Sequence, residues 1–138
     1  MISILQGTSE AMLPYVRDNV ADIIFIDGDH SYDSVLRDIQ LSAPLLKNGG
    51  IICGDDLELQ YYEVDQITIR KFKDYDVIQD PFTKKRYHPG VSMAVYDFFK
   101  MEISSWEGLW AMQKYQNQFC KISLSCDNME VDIPCHLR

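Results

Sequence analysis

The stretch DIIFIDGDHSYDSVLRDIQLSAPLLKNGGIICGDD, Asp22 to Asp56, decides the fold. Ile23-Ile24-Phe25-Ile26 is a run of four apolar residues rich in β-branching, and it stops abruptly at Asp27-Gly28-Asp29-His30. A strand apolar on both sides is what a parallel sheet covered on both faces requires. Ser31 stands where a helix would be capped, and Tyr32, Val35, Leu36, Ile39, Ala43 and Leu46 follow at helical spacing. Asn48-Gly49-Gly50 offers the left-handed chemistry that ends such a helix. Ile51-Ile52-Cys53 then reads as a second buried strand, again ending in acid at Asp55-Asp56.

Working outward, Ile2 to Leu5 is a short apolar run ending at Gly7, and it reads as a further strand. Thr8 or Ser9 can cap a helix through Ala11, Met12, Tyr15 and Val16, which Pro14 would weaken. Strand, helix, strand, helix, strand makes a βαβαβ unit, whose right-handed crossovers leave the strands parallel with their carboxyl ends on one edge. Ligands bind at that edge in open α/β sheets. Beyond it, residues 57–88 mix aromatics with charge and read as an inserted lid or substrate loop, with local structure around Ile67 to Phe72. Gly90 opens a helix from Val91 to Phe99. Leu109 to Met112 and Cys120 to Leu124 close the chain as an antiparallel pair. The expected class is therefore α/β, a single domain over residues 1–138 with a mostly parallel sheet.

Composition excludes several classes. A net charge of −8, with no basic stripe beyond Lys84-Lys85-Arg86, argues against nucleic acid as a partner. No apolar run approaches the ~20 residues needed to cross a bilayer, and Met1 to Gly7 has no signal-peptide pattern. The expected address is the cytoplasm. Cys120, Cys126, Cys135 and His136 could gather around zinc, but their spacing matches no common zinc module. Reduced thiols are the simpler reading.

Asp27, Asp29, Asp55 and Asp56 fall at the ends of two strands expected to be neighbours. Carboxylates converging in a cleft repel one another unless a proton or cation intervenes, and hard oxygen donors suit magnesium, manganese or calcium. The plainer alternative is that Asp29 caps the helix and Asp55-Asp56 merely end a strand. His30, at the mouth of the same edge, could take a proton from a hydroxyl acidified by a metal, or could simply bind backbone in the first helical turn. His88, before Pro89-Gly90, is a weaker candidate of the same kind.

The block from Asp22 to Asp56 resembles the centre of metal-dependent class I O-methyltransferases, the group whose strand ends in I-D-G-x-H, similar to the catechol and caffeoyl-CoA enzymes. The similarity extends back through ISILQGTSEAMLPYV and forward through HPGVSMAVYDFFK, with an echo in GLWAMQKY. The resemblance implies a Rossmann-like class I methyltransferase fold, S-adenosylmethionine as cofactor and a small-molecule hydroxyl as acceptor. It implies Asp27, Asp55 and Asp56 as ligands of a divalent cation (Mg or Mn, or else Ca) and His30 as catalytic base. It places Ser9 and Glu10 at the adenine edge of the cofactor, and Asp27 and Gly28 beside it. The family's first two strands, with their glycine-rich turn, have no counterpart in the sequence, so the fold is expected to be N-terminally truncated. The edge left open by those strands is expected to drive homo-oligomerisation. A non-catalytic methyltransferase-like domain acting in oligomerisation or partner binding is the competing reading.

Overall fold

The computed structural model describes residues 4 and 6–124. Most of the strand expected at Ile2 to Leu5, Cys126, Cys135, His136 and the tail from Val131 lie outside the described residues. The first helix, α1 (Ser9–Met12), starts as expected, with the Thr8 hydroxyl accepting from the Ala11 N–H at 3.3 Å. Pro14 then cuts it short, and a 3-10 turn occupies Leu13–Tyr15.

Strand β1 (Ala21–Ile26) leads into α2 (Tyr32–Ser42), with Ser31 at the N-cap, and then into β2 (Leu46–Leu57). β1 and β2 run parallel, pairing Ile23 with Ile51 and Ile26 with Gly54. The helix stops earlier than its periodicity suggests. Pro44 lies in a 3-10 turn over Ala43–Leu45, while Leu46 and Asn48-Gly49-Gly50 belong to β2. Proline lacks the N–H that another α-helical turn would use, so it ends the helix before the glycines are reached.

Residues 57–88 fold into local structure of their own. They contain a 3-10 turn at Tyr61–Glu63, helix α3 (Gln66–Lys71) and a hairpin of β3 (Ile78–Gln79) with β4 (Arg86–Tyr87). Leu59, Tyr61, Val64, Ile69 and Tyr87 form a small buried core that Met93 and Tyr96 join to helix α4 (Pro89–Phe99). Asp80 is fully buried there and accepts from the N–H groups of Asp65, Phe82 and Thr83 at 2.7–3.0 Å. Burial opposes its charge, yet these donors hold its carboxyl below the usual range.

Strands β5 (Ser104–Trp106), β6 (Gly108–Tyr115) and β7 (Gln118–Lys121) complete the sheet in the order β1-β2-β6-β5, with β7 on β6. The expected closing pair is present as β6 and β7. A mostly parallel sheet was expected; among the described residues the sheet is mixed. β1–β2 is its one parallel pairing, and β2–β6, β5–β6 and β6–β7 are antiparallel. One strand-helix-strand crossover lies within the described residues, β5–β6 and β6–β7 are joined by short turns, which only antiparallel pairs allow, and β6 returns antiparallel to β2 after the long stretch that holds α3 and α4.

Helices α2 and α4 share one core with Ile24, Ile26, Ile52, Trp110 and Met112, so both lie on one face of the sheet. Gly54 has no side chain because a Cβ there would come within 2.7 Å of the Trp110 indole nitrogen. The expected cover on both faces is not observed among the described residues. Ile23 and Phe25 point away from the helices and are 64% and 52% exposed.

Candidate functional site

The site grows from the turn that follows β1. Asp29 accepts from the Ser31 N–H at 3.0 Å and from the hydroxyls of Ser31 and Ser34 at 3.1 and 2.9 Å. Those bonds, the Ser31 N–H foremost, lower its pKa and fix the turn. Asp29 thus braces the turn just before α2, whose N-cap is Ser31, and the turn residues line the spaces on either side.

On one side is a groove of about 380 Å³ lined by Ser9, Glu10, Gly28, Asp29, Arg37 and Asp38, among others. Three of the four residues expected to touch a cofactor meet here, and Glu10 forms an ion pair with Arg37 of α2. Asp27, the fourth, lines the other side instead.

That other side is a narrow cavity of about 10 Å³, bounded by Asp27, His30, Asp55, Asp56, Val91 and Trp110. All three residues expected to hold a cation line one space, but their carboxylates do not gather at one point: no set of ligand atoms from Asp27, Asp55 and Asp56 lies within 4.8 Å of one another. Their donor set suits a hard divalent ion. Asp55 also accepts from the Asp56 N–H at 2.9 Å. Asp56 itself has φ of 66°, a left-handed conformation that costs a residue with a Cβ about 1–3 kcal/mol and that gathers at functional sites.

The tightest gathering, however, is around Asp56 and two histidines. His30 Nε2 lies 3.0 Å from one Asp56 oxygen, and His88 Nδ1 lies 3.7 Å from the other. One donor atom each from His30, Asp56 and His88 fall within 4.8 Å of one another; among the described residues no other such trio occurs, so Asp27 and Asp55 stand outside it. The second nitrogen of His30, Nδ1, is 2.7 Å from Asp76. Glu58 holds His88 at both its ring Nδ1, 2.9 Å away, and its backbone N–H, 3.2 Å away. The Asp76 hydrogen bond, helped by the charges of Asp56 and Asp29 and opposed by burial, raises the His30 pKa; the same bond lowers that of Asp76.

Asp76 and Glu58 carry no motif, and their roles depend on how residues 57–88 fold back. Glu58 had one faint signal: it follows Asp56 by two residues, the spacing that places side chains on one side of an extended chain. Tyr32 ties the turn to α4, donating to Asp97 at 2.9 Å; burial and that carboxylate push its phenol up to about 12, so it stays a donor.

No helix among the described residues is long and apolar enough to cross a membrane. No curated protein and no solved structure matches the chain. A family model does: residues 1–57, which carry α1, β1, α2, β2 and with them both sides of the site's central turn, match the family described as "Methyltransferase domain", and this match supports a class I methyltransferase domain.

Proposed function

We propose that the protein is an S-adenosylmethionine-dependent methyltransferase that methylates a small-molecule hydroxyl with the help of a divalent cation. One observation carries the reading: the turn Asp27-Gly28-Asp29-His30 forms a wall of both the open groove and the carboxylate-imidazole cavity. A methyl donor in the first and an acceptor hydroxyl at the second would meet across a few residues, which is the positioning that methyl transfer needs.

S-adenosylmethionine supplies a sulfonium-activated methyl group, and a divalent cation supplies charge that acidifies a hydroxyl. The rest is the work of the chain. Ser9 and Glu10 bind the adenine edge, and Gly28 lets backbone approach the nucleoside. Asp27, Asp55 and Asp56 hold magnesium or manganese, with calcium a further oxygen-preferring ion. His30, at the edge of the cavity, accepts the acceptor's proton. Val91 and Trp110 border the cavity and keep water out.

Radiolabelled S-adenosylmethionine incubated with magnesium and a panel of phenols and sugars tests this. Labelled product is expected, with His30→Ala slower by ~10²–10⁴-fold. Failure of the protein to bind S-adenosylmethionine by calorimetry overturns the reading.

A second reading, a methyltransferase-like domain that acts only by association, is favoured by the exposed Ile23 and Phe25 on the uncovered sheet face. An apolar patch of this kind marks an interaction surface when it is contiguous. Self-association without cofactor binding would decide for it.

A further inference from the structure

We propose that Asp38 of α2 is a specificity-determining residue for the cofactor: it accepts from the 6-amino group of the adenine and so tells adenine from a 6-oxo purine. The inference rests on the reading of the open groove as the S-adenosylmethionine site.

Two helices and the central turn wall that groove. Ser9 and Glu10 come from α1, Ser34, Arg37 and Asp38 from α2, and Gly28 and Asp29 from the turn. Ser34, Arg37 and Asp38 stand at i, i+3 and i+4, which sets them on one face of the helix. Side chains of a helix lean toward its N-terminus. Asp38 accordingly reaches back to the turn, where its Oδ2 would lie 3.4 Å from a Cβ built on Gly28.

Most polar groups of the groove are already engaged. Thr8 caps α1, Glu10 pairs with Arg37, and Asp29 accepts from Ser31 and Ser34. Asp38 is half-buried and has neither a hydrogen bond nor an ion pair among the described residues. A carboxylate accepts hydrogen bonds and donates none. Partly withdrawn from water and without a donor of its own, it suits the N–H of a ligand.

Adenine offers such a donor. Its Watson–Crick edge sets the 6-amino group beside N1, an acceptor. Asp38 takes the first, and the Ser9 hydroxyl, in the same groove, donates to the second. A 6-oxo purine reverses both groups and turns its carbonyl oxygen toward the carboxylate. Sites that hydrogen-bond a ligand N–H discriminate strongly against analogues lacking it, because their own polar group is then left unpaired.

S-adenosylhomocysteine and its deaminated counterpart, S-inosylhomocysteine, are to be titrated by calorimetry into wild type and Asp38→Asn, with circular dichroism as the check on folding. Wild type is expected to bind the inosine form ~10–100-fold more weakly, the loss of one charge-assisted hydrogen bond. An amide can accept from an amino group or donate to a carbonyl, so Asp38→Asn should bind the two within ~3-fold of each other. Equal affinities in wild type overturn the proposal even if the variant fails to fold, as does full discrimination in a folded Asp38→Asn. A 2′-deoxy analogue that loses affinity in wild type and not in Asp38→Asn would assign the carboxylate to the ribose instead, and overturn it too. If wild type binds neither nucleoside, the cofactor reading itself fails and this inference falls with it, whereas equal binding of both removes Asp38 alone.

Discussion

The rings of His30 and His88 meet edge to face, with centroids 4.5 Å apart and planes inclined by 64°. One follows the carboxyl end of β1 and the other caps α4, and Asp56 stands within reach of both. Two imidazoles and a carboxylate so close share protons or a cation, and the arrangement draws on three separate parts of the chain.

Cation binding should depend on Asp56 and not on His88. Manganese titrated into Asp56→Ala by calorimetry is expected to bind more than ~100-fold more weakly than in wild type, a larger loss than outer-shell changes produce. His88→Ala should bind it as wild type does if oxygen donors hold the ion. Loss in His88→Ala, with zinc or cobalt preferred over magnesium, would instead assign the ion to His30, Asp56 and His88.

Glu10 should matter for the cofactor and not for the fold. A charge-assisted hydrogen bond is worth about 1.5–3 kcal/mol, so Glu10→Ala should weaken S-adenosylmethionine binding roughly tenfold or more. Equal dissociation constants by equilibrium dialysis would remove Glu10 from the groove's role.

Gly90 is the close-packing point between α4 and the His30 turn. A Cβ there would run into the His30 carbonyl oxygen and come within 2.7 Å of the Lys73 oxygen and the Tyr32 nitrogen, all backbone atoms that cannot swing aside. Gly90→Ala should cost about 1–3 kcal/mol, the usual penalty of overpacking, and displace the His30 resonances. A urea midpoint equal to that of wild type would contradict this contact.

Asp80 should govern acid stability of residues 57–88. Its carboxyl is held below the ordinary range in the folded protein, so its contribution is present above the unfolded carboxylate pKa. That contribution is lost as pH falls through the lower folded value. Asp80→Ala should destabilise by about 1–3 kcal/mol per orphaned buried donor, and the loss should shrink as the pH approaches the acid range. A pH-independent difference between the two proteins would refute the assignment.

The uncovered face of β1 should promote association of two copies. Light scattering at micromolar concentration is expected to give more than the monomer mass for wild type and the monomer mass for Phe25→Glu. A monomeric wild type would leave Ile23 and Phe25 without that role.

Some of this was legible in local pattern. The apolar run at Ile23 to Ile26, the helix from Tyr32, the strand through Ile51 to Cys53 and the helix at Val91 all follow from hydrophobic spacing and caps, because each rests on neighbours a few residues away. The gathering of Asp27, His30, Asp55 and Asp56 at one cavity follows from the same reading, since parallel neighbours end on one edge. Asn48-Gly49-Gly50 misled because a glycine pair ends helices and bends strands alike, and Pro44 had already decided the matter.

By itself, then, the sequence determined which segments become strands and helices around the central turn, and which acids and histidine that turn presents. Only the tertiary structure decided that residues 57–88 fold back to set Asp76 on His30 and Glu58 on His88, and that both helices settle on one sheet face. Periodicity records how a residue sits relative to its own segment. Contacts between distant segments depend on how buried apolar faces pack together, and that packing has no signature in any single stretch of chain.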